Sequence, residues 1–303
     1  MRLGHALTAG RTILSDWRWF PFYLQRRFRR RAHRDAIVRM LASWRGNKPA
    51  AEAAPSPLVA EGQDWLGQVF DEGQVREIRA FLEQRRVRDD YRPEVARWLP
   101  LGEGRHPHSH VGYHDNEDVV RAPHLLALAN RPDILAKVEA FLGCKPTISY
   151  MAAWWSYATG LGAQQAENFH RDVDDWRFVK LFVYLTDVQD DTKGPHVYVR
   201  RTANVEQIGV IRRYTDEEIT EQFGEEHKVK MFADAGEGFL EDTYGFHKGQ
   251  PVAEGYRLMF QAVYSLVPLP YGPKRPVIGA AEAEQAAGMA LDPFVNRVYV
   301  ARR

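Results

Sequence analysis

The sequence predicts a mainly β fold, a jelly roll with flanking helices, on three observations. Short apolar runs of strand character recur at 146–158, 178–186, 196–200, 228–232, 238–241 and 256–267, separated by Gly, Pro and Asp turns. Helical patterns stand ahead of these runs instead of alternating with them, which argues against a parallel α/β sheet. The 303 residues, 45% hydrophobic and 27% charged, suffice to bury a substantial core.

In chain order, residues 1–46 read as helical and basic, with Pro21 dividing them. Trp17, Trp19, Phe20, Phe22 and Tyr23 cluster just ahead of a run of arginines. Ile37, Leu41 and Trp44 then recur at helical spacing among Arg34, Arg39 and Arg45. Residues 1–48 hold eleven Arg and one Lys against Asp16 and Asp35, about +10, which leaves about −9 for the rest of a chain of net charge +1. Two uses of this segment stay open. Aromatic anchors beside cations over residues 11–45 suit an interfacial helix on an anionic membrane surface. The other use is a helical extension packed on the main domain or on a second subunit, its arginines solvated. Nucleic acid is not expected as a partner, because nothing else in the chain supports it.

Residues 46–57 are a linker by composition, so the chain divides into an arm with linker over 1–57 and a domain over 58–303. Helices are expected at 71–87, opened by Asp71 with Val75, Ile78, Phe81 and Leu82 on one face, and at 131–143, ended by Gly143. An Ala/Glu-rich stretch at 280–290 reads as a short surface helix.

Cys144 is the only cysteine, which rules out an internal disulfide and a thiolate-rich zinc site and points to a reducing compartment; its expected place is the core. No apolar run is long enough to span a bilayer. The N-terminus lacks the apolar core and small-residue cleavage site of a signal peptide. A cytoplasmic location follows, with the inner face of the membrane as the alternative the arm leaves open.

The chemistry concentrates at Asn168-Phe169-His170-Arg171-Asp172. On a strand, positions i and i+2 share a face, so His170 and Asp172 would project together and Arg171 away. A helix could not arrange this. Tyr244-Gly245-Phe246-His247 enters a second strand–turn region, which can return another imidazole to the pair. Two imidazoles and one carboxylate are the ligand set of a non-haem Fe(II) oxygenase, occupying one face of the metal and leaving the other open. Arg257 heads an apolar strand and needs a partner. A carboxylate bound bidentately is the best available, with Asp242 as the internal acid that could take its place. His33-Arg34-Asp35 repeats the same three residues inside the arm, is read as chance, and shows how little His-x-Asp says alone.

Other clusters carry less. His106-Pro107-His108-Ser109-His110, with His114 nearby, reads as a surface or gating loop in which His108 or His110 could touch substrate, or as an adventitious Zn or Ni site. Asp174 and Asp175 read as solvated turn acids, unless one orients a polar substrate. Trp154, Trp155 and Tyr157 either wall a pocket or form ordinary strand core.

Asn168–Asp172 with the strand that follows it, Gly194-Pro195-His196-Val197-Tyr198-Val199, and Gly245-Phe246-His247 leading to the strand from Arg257 together resemble the phytanoyl-CoA dioxygenase-like family. The resemblance covers residues 145–267 and is silent on 1–60. Members of that family are Fe(II)- and 2-oxoglutarate-dependent oxygenases with a double-stranded β-helix. The resemblance therefore implies that fold, Fe(II) held by His170, Asp172 and His247, and O2 as oxidant. It also implies 2-oxoglutarate chelating through its oxo-acid end, with its far carboxylate on Arg257 and a hydrogen bond from Thr186 or Lys180. Halogenating relatives carry Ala or Gly where Asp172 stands, so halogenation is not expected. Hydroxylation of an unactivated C–H of a small-molecule, lipid or glycolipid substrate is expected, with release of succinate and CO2; desaturation or cyclisation stays open. Two alternatives remain, a non-catalytic jelly roll that binds a ligand and a membrane-associated scaffold with a vestigial iron site.

Overall fold

Period-two alternation along the strands sorts the chain into two antiparallel sheets, as seen in a computed structural model that describes residues 14–45, 56–207 and 209–302. The larger sheet has six strands, β1 (Gln63–Gln68), β2 (Val111–Tyr113), β3 (Thr147–Tyr157), β4 (Phe178–Tyr184), β7 (Glu237–Glu241) and β9 (Tyr256–Ser265), in the spatial order β1-β7-β4-β9-β3-β2. The smaller has β5 (His196–Val199), β6 (Lys228–Met231) and β8 (His247–Gly249), in the order β6-β5-β8. This is the double-stranded β-helix with flanking helices that the sequence predicts. The predicted strands match within about two residues at each end, the usual fraying of strand limits.

One face of the large sheet carries Leu181, Val183, Leu240, Leu258 and Phe260, which pack with the helices into the main core. The alternating residues Phe182, Tyr184, Phe239 and Met259 turn to the other side and meet Met231 of β6. Lys180, Arg257 and Gln261 share that second face by the same alternation, and all line one cavity. Strand parity therefore decides which residues can do chemistry.

Nine helices frame the sheets among the described residues: α1 (Trp19–Gln25), α2 (Arg31–Trp44), α3 (Pro57–Glu61), α4 (Glu72–Glu83), α5 (Asn116–Arg121), α6 (Leu125–Ala129), α7 (Pro132–Leu142), α8 (Asp216–Phe223) and α9 (Ala280–Ala287). The expected helix from Asp71 is α4, opened by a reciprocal capping box between Asp71 and Gln74. The helix expected at 131–143 is α7, stopped at Gly143 with φ of 77°. Three expectations need correction. Pro21 does not divide the arm, because it sits in the first turn of α1, where no intrahelical amide is needed; the break falls between Gln25 and Arg31. α9 is not simply a surface helix, since Ala283 and Ala287 are buried in the main core. The third concerns the arm's arginines, not all of which are solvated: Arg18 and Arg34 are buried. Cys144 is buried, as expected. The linker over 46–57 lies outside the described residues except for Ser56 and Pro57, which open α3; residues 1–13 lie outside them too.

The arm's two helices pack on the body. Arg18 Nη1 donates to Pro273 O at 2.9 Å, Arg31 Nη1 to Ala203 O at 3.1 Å, and Arg45 Nη2 to Leu266 O. Among the described residues no helix is long and apolar enough to cross a membrane.

Phe260 of β9 is fully buried at the centre of the main core. Phe260→Ala should destabilise the protein by about 3–5 kcal/mol, from lost transfer energy and the cavity left behind. Denaturant unfolding measures this, and a cost below about 1 kcal/mol would mean the site collapses around the deletion.

Candidate metal centre

The His-x-Asp segment is extended but is not part of a regular strand. His170 pairs with His247 of β8 through an isolated antiparallel bridge, His170 N to His247 O at 2.9 Å and His247 N to His170 O at 3.0 Å. Asp172 N donates to Thr243 O at 2.9 Å, which extends the pairing by two residues. Before β8 the chain turns tightly, Gly245 N donating to Asp242 O at 2.9 Å. Glycine is required at 245 because a Cβ there would stand 2.2 Å from the Tyr198 hydroxyl. Arg171 points away as expected, donating to Thr202 O and Tyr244 O at 2.6 Å each.

The two imidazoles are held by the same device. His170 Nδ1 lies 2.9 Å from Asn168 O, and His247 Nδ1 lies 3.1 Å from Gly245 O. A carbonyl only accepts, so each Nδ1 carries a proton, and in the neutral ring each Nε2 presents a lone pair. Those lone pairs face one carboxylate: His170 Nε2 is 3.6 Å from Asp172 Oδ1, and His247 Nε2 is 3.3 Å from Asp172 Oδ2. One donor atom from each residue lies within 4.8 Å of the others. Burial, followed by its neighbour His247, holds His170 well below the usual histidine range, so it is neutral. Burial works to raise the Asp172 carboxyl, but the Lys180 ammonium that donates to it outweighs burial and holds the group well below its usual range. Two lone pairs and a carboxylate converging in a buried site repel one another unless a cation stands between them. The donor set fits a divalent metal, and the backbone acceptors on both Nδ1 atoms are the second-layer support such sites use.

Lys180 of β4 donates to Asp172 Oδ2 at 2.6 Å and lies 3.3 Å from Asp174 Oδ2. Asp174 and Asp175 are therefore not solvated acids. Asp174 is buried beside Lys180 and its carboxyl is raised, chiefly by burial. Asp175 is fully buried and accepts the backbone N–H of Trp176, Leu266 and Val267.

Arg257 lines the same cavity, which has a volume of about 250 Å3. It is buried and donates from Nη2 to Ser156 Oγ at 3.1 Å, the residue paired with it across β3 and β9. Among the described residues its Nε and Nη1 are buried without an acceptor. Asp242 is not its partner; its Oδ1 accepts Tyr244 N–H at 3.1 Å, and it lines a separate pocket with Arg31 and Arg177. An orphaned guanidinium edge buried in a pocket wall fits a carboxylate. Thr186 is elsewhere: it is absent from the cavity wall, and its hydroxyl accepts Leu258 N–H at 3.0 Å.

Of the histidine-rich loop, His110 reaches the cavity, with Nδ1 2.8 Å from Glu167 Oε2. His106 and His108 are exposed, and His114 is core, its Nε2 accepting from Trp155 Nε1 at 2.9 Å. Trp154 walls the cavity, while Trp155 and Tyr157 belong to the core. Sequence reasoning missed Ser156, Glu167 and His196. The last stacks on His247 (centroids 5.6 Å apart, planes at 22°) and lies 3.0 Å from buried Glu241. Only the position of His196 at the head of an apolar strand signalled it.

The arm reaches this site. Gln25 Nε2 and Arg26 Nε donate to Val173 O at 2.7 and 3.0 Å, directly after Asp172 of the donor set. Arg34 Nη2 donates to Asp175 O, and its Nη1 donates to Gln25 Oε1 at 2.8 Å. Asp35 pairs with Arg177 at 2.7 Å. The copy His33-Arg34-Asp35 is thus no metal site, but neither is it idle, because Arg34 and Asp35 clamp the loop that follows the real motif.

No family model matches the chain, and no curated protein matches it. Among solved structures it is similar to HygX from Streptomyces hygroscopicus with nickel, 2-oxoglutarate and hygromycin B bound, at 18% identity over 68% of this chain and 84% of that one, with a TM-score of 0.50. The epimerase SnoN in complex with Fe3+, alpha ketoglutarate and nogalamycin RO matches at 17% identity over 76% of this chain and 84% of that one, with a TM-score of 0.48. At 18% identity the likeness to HygX establishes the fold alone.

Arg34→Met should weaken Ni(II) binding about 10–100-fold, the range for loss of outer support to a metal ligand. Arg29→Gln, on the exposed side of the same arm, should leave it unchanged. Calorimetric titration of both folded variants decides, and equal affinities would show that the arm has no hold on the loop.

Proposed function

We propose that the chain is an Fe(II)/2-oxoglutarate-dependent dioxygenase that hydroxylates a C–H bond of a small molecule. The observation that carries this reading is one cavity holding both the converging His170, Asp172 and His247 donors and the unsatisfied guanidinium of Arg257. HygX, with nickel and 2-oxoglutarate bound on the same fold, supports it. The three donors would hold the metal, and Arg257 would take the far carboxylate of 2-oxoglutarate. When bound, that pair supplies O2-dependent C–H oxidation coupled to release of succinate and CO2.

The chain's own residues have definable tasks. Ser156 fixes the guanidinium plane of Arg257 by its 3.1 Å hydrogen bond. Lys180 holds the second oxygen of Asp172 and so keeps the carboxylate oriented. Phe182, Met259 and Trp154 exclude water from the cavity. Substrate would meet Glu167, His110, Gln164 and Tyr91, a wall of polar and aromatic groups. Such a wall suits a hydroxyl- or amine-bearing group better than an acyl chain, so for a glycolipid the head group would enter.

Oxygen-dependent succinate release from 2-oxoglutarate, with Fe(II) present, tests the reading. Asp172→Ala should abolish metal binding and turnover, and a variant with wild-type metal content would refute the ligand set. Arg257→Met should weaken 2-oxoglutarate binding at least about 30-fold, a loss of roughly 2 kcal/mol for a buried charged hydrogen-bonded pair. Metal affinity should be unchanged in that variant. An unaltered dissociation constant for 2-oxoglutarate would move the anchor elsewhere and favour a binding module over an oxygenase.

A further inference from the structure

α1 and α2 each bury one side and leave the other bare. Phe22 and Gln25 of α1, with Arg34 and Val38 of α2, face inward. Phe20, Tyr23 and Leu24 stand at i, i+3 and i+4 on the outward side of α1, and Trp17 precedes them at the same spacing. Trp17 is 63% exposed and Phe20 56%. On α2, Met40 and Trp44 stand one turn apart, 61% and 83% exposed. Isolated apolar residues on a surface need no explanation; large aromatic ones grouped at helical spacing do.

Cations stand beside them. Arg27, Arg29, Arg30 and Arg39 are exposed and make no ion pair among the described residues. The arm's two acids are already taken, Asp16 by Arg18 and Asp35 by Arg31 and Arg177. Exposed Trp, Phe and Tyr beside unpaired arginines match the boundary of an anionic bilayer, where rings enter the head-group layer and guanidinium groups meet phosphates. The charge division adds direction, since the arm is about +10 and the remainder about −9.

We infer that the outward face of the arm docks on an anionic lipid bilayer as a peripheral surface. The contact is independent of the oxygenase reading, because none of these side chains lines the cavity. Since the inward face of the same helices holds Val173 and Asp175, the docked arm would keep the cavity's loop in place at the membrane.

The test is flotation of the full chain with vesicles of phosphatidylglycerol in phosphatidylcholine, against phosphatidylcholine alone. The protein should float with the anionic vesicles, stay behind with the neutral ones, and be released at about 1 M salt, where screening is nearly complete. Trp17→Ser with Phe20→Ser, and separately Arg29→Gln with Arg30→Gln, should each lower vesicle affinity at least about tenfold. Both pairs should keep the wild-type thermal midpoint and Ni(II) affinity. Absence of binding to anionic vesicles, or binding that ignores lipid charge or all four substitutions, overturns the proposal. So does binding to a nucleic-acid duplex without binding to vesicles. A dimer seen by light scattering that dissociates in the Trp17/Phe20 variant, with no vesicle binding, would give the face to a second copy instead.

Discussion

Two backbone hydrogen bonds carry most of what this molecule can do. The reciprocal pair between His170 and His247 joins the extended segment after β3 to β8 of the small sheet and brings the two rings to 4.3 Å between centroids. Without that bridge the imidazoles belong to separate stretches of chain with no reason to meet. With it, each Nδ1 finds a carbonyl two residues back in its own segment, and each Nε2 is left facing Asp172. The backbone thus chooses the tautomer, and the tautomer chooses the ligand atom.

Around that bridge the buried charges are arranged in a pattern with two poles of opposite sign. Lys180 answers Asp172 and Asp174, so the acids near the metal loop are largely compensated. The three converging donors make an electron-rich pole, and Arg257, with the neutral Ser156 hydroxyl against it, makes a cationic one. A metal together with a dicarboxylic oxo-acid would complement both in one pocket. Either partner alone would leave half of the imbalance standing.

The fold was legible because the strands alternate cleanly and the turns between them carry Gly, Pro or Asp; β3, β4, β5, β6, β7 and β9 appear within a residue or two of their expected limits. β1, β2 and β8 were not, for different reasons. β1 is an edge strand reading Gln-Asp-Trp-Leu-Gly-Gln, without an apolar run, and β2 and β8 have three residues each. Within the site, His170, Asp172, His247 and Arg257 stood out because each is a polar residue at an apolar strand or turn. Thr186 misled because it keeps the parity of Phe178, Lys180, Phe182 and Tyr184, the inner face of β4, yet stands past the strand's end, where its hydroxyl turns back to the β9 backbone. His196, Glu241 and Glu167 were hidden because what distinguishes them is burial against a partner distant in sequence. Asp174 and Asp175 failed the same way, as turn acids whose partners lie on β4 and at the end of β9.

The grip of α1 and α2 on the carbonyls of Val173 and Asp175 has a thermodynamic consequence that runs in both directions. Coupling between two binding events is reciprocal, so whatever factor the seated arm adds to metal affinity, the metal adds to the seating of the arm. The arm would then hold more tightly in the loaded protein than in the empty one, and its hydrogen exchange would report on occupancy of donors it meets only through the loop at Val173 and Asp175. With the donors unfilled, the basic segment that faces outward would also be the segment most free to leave.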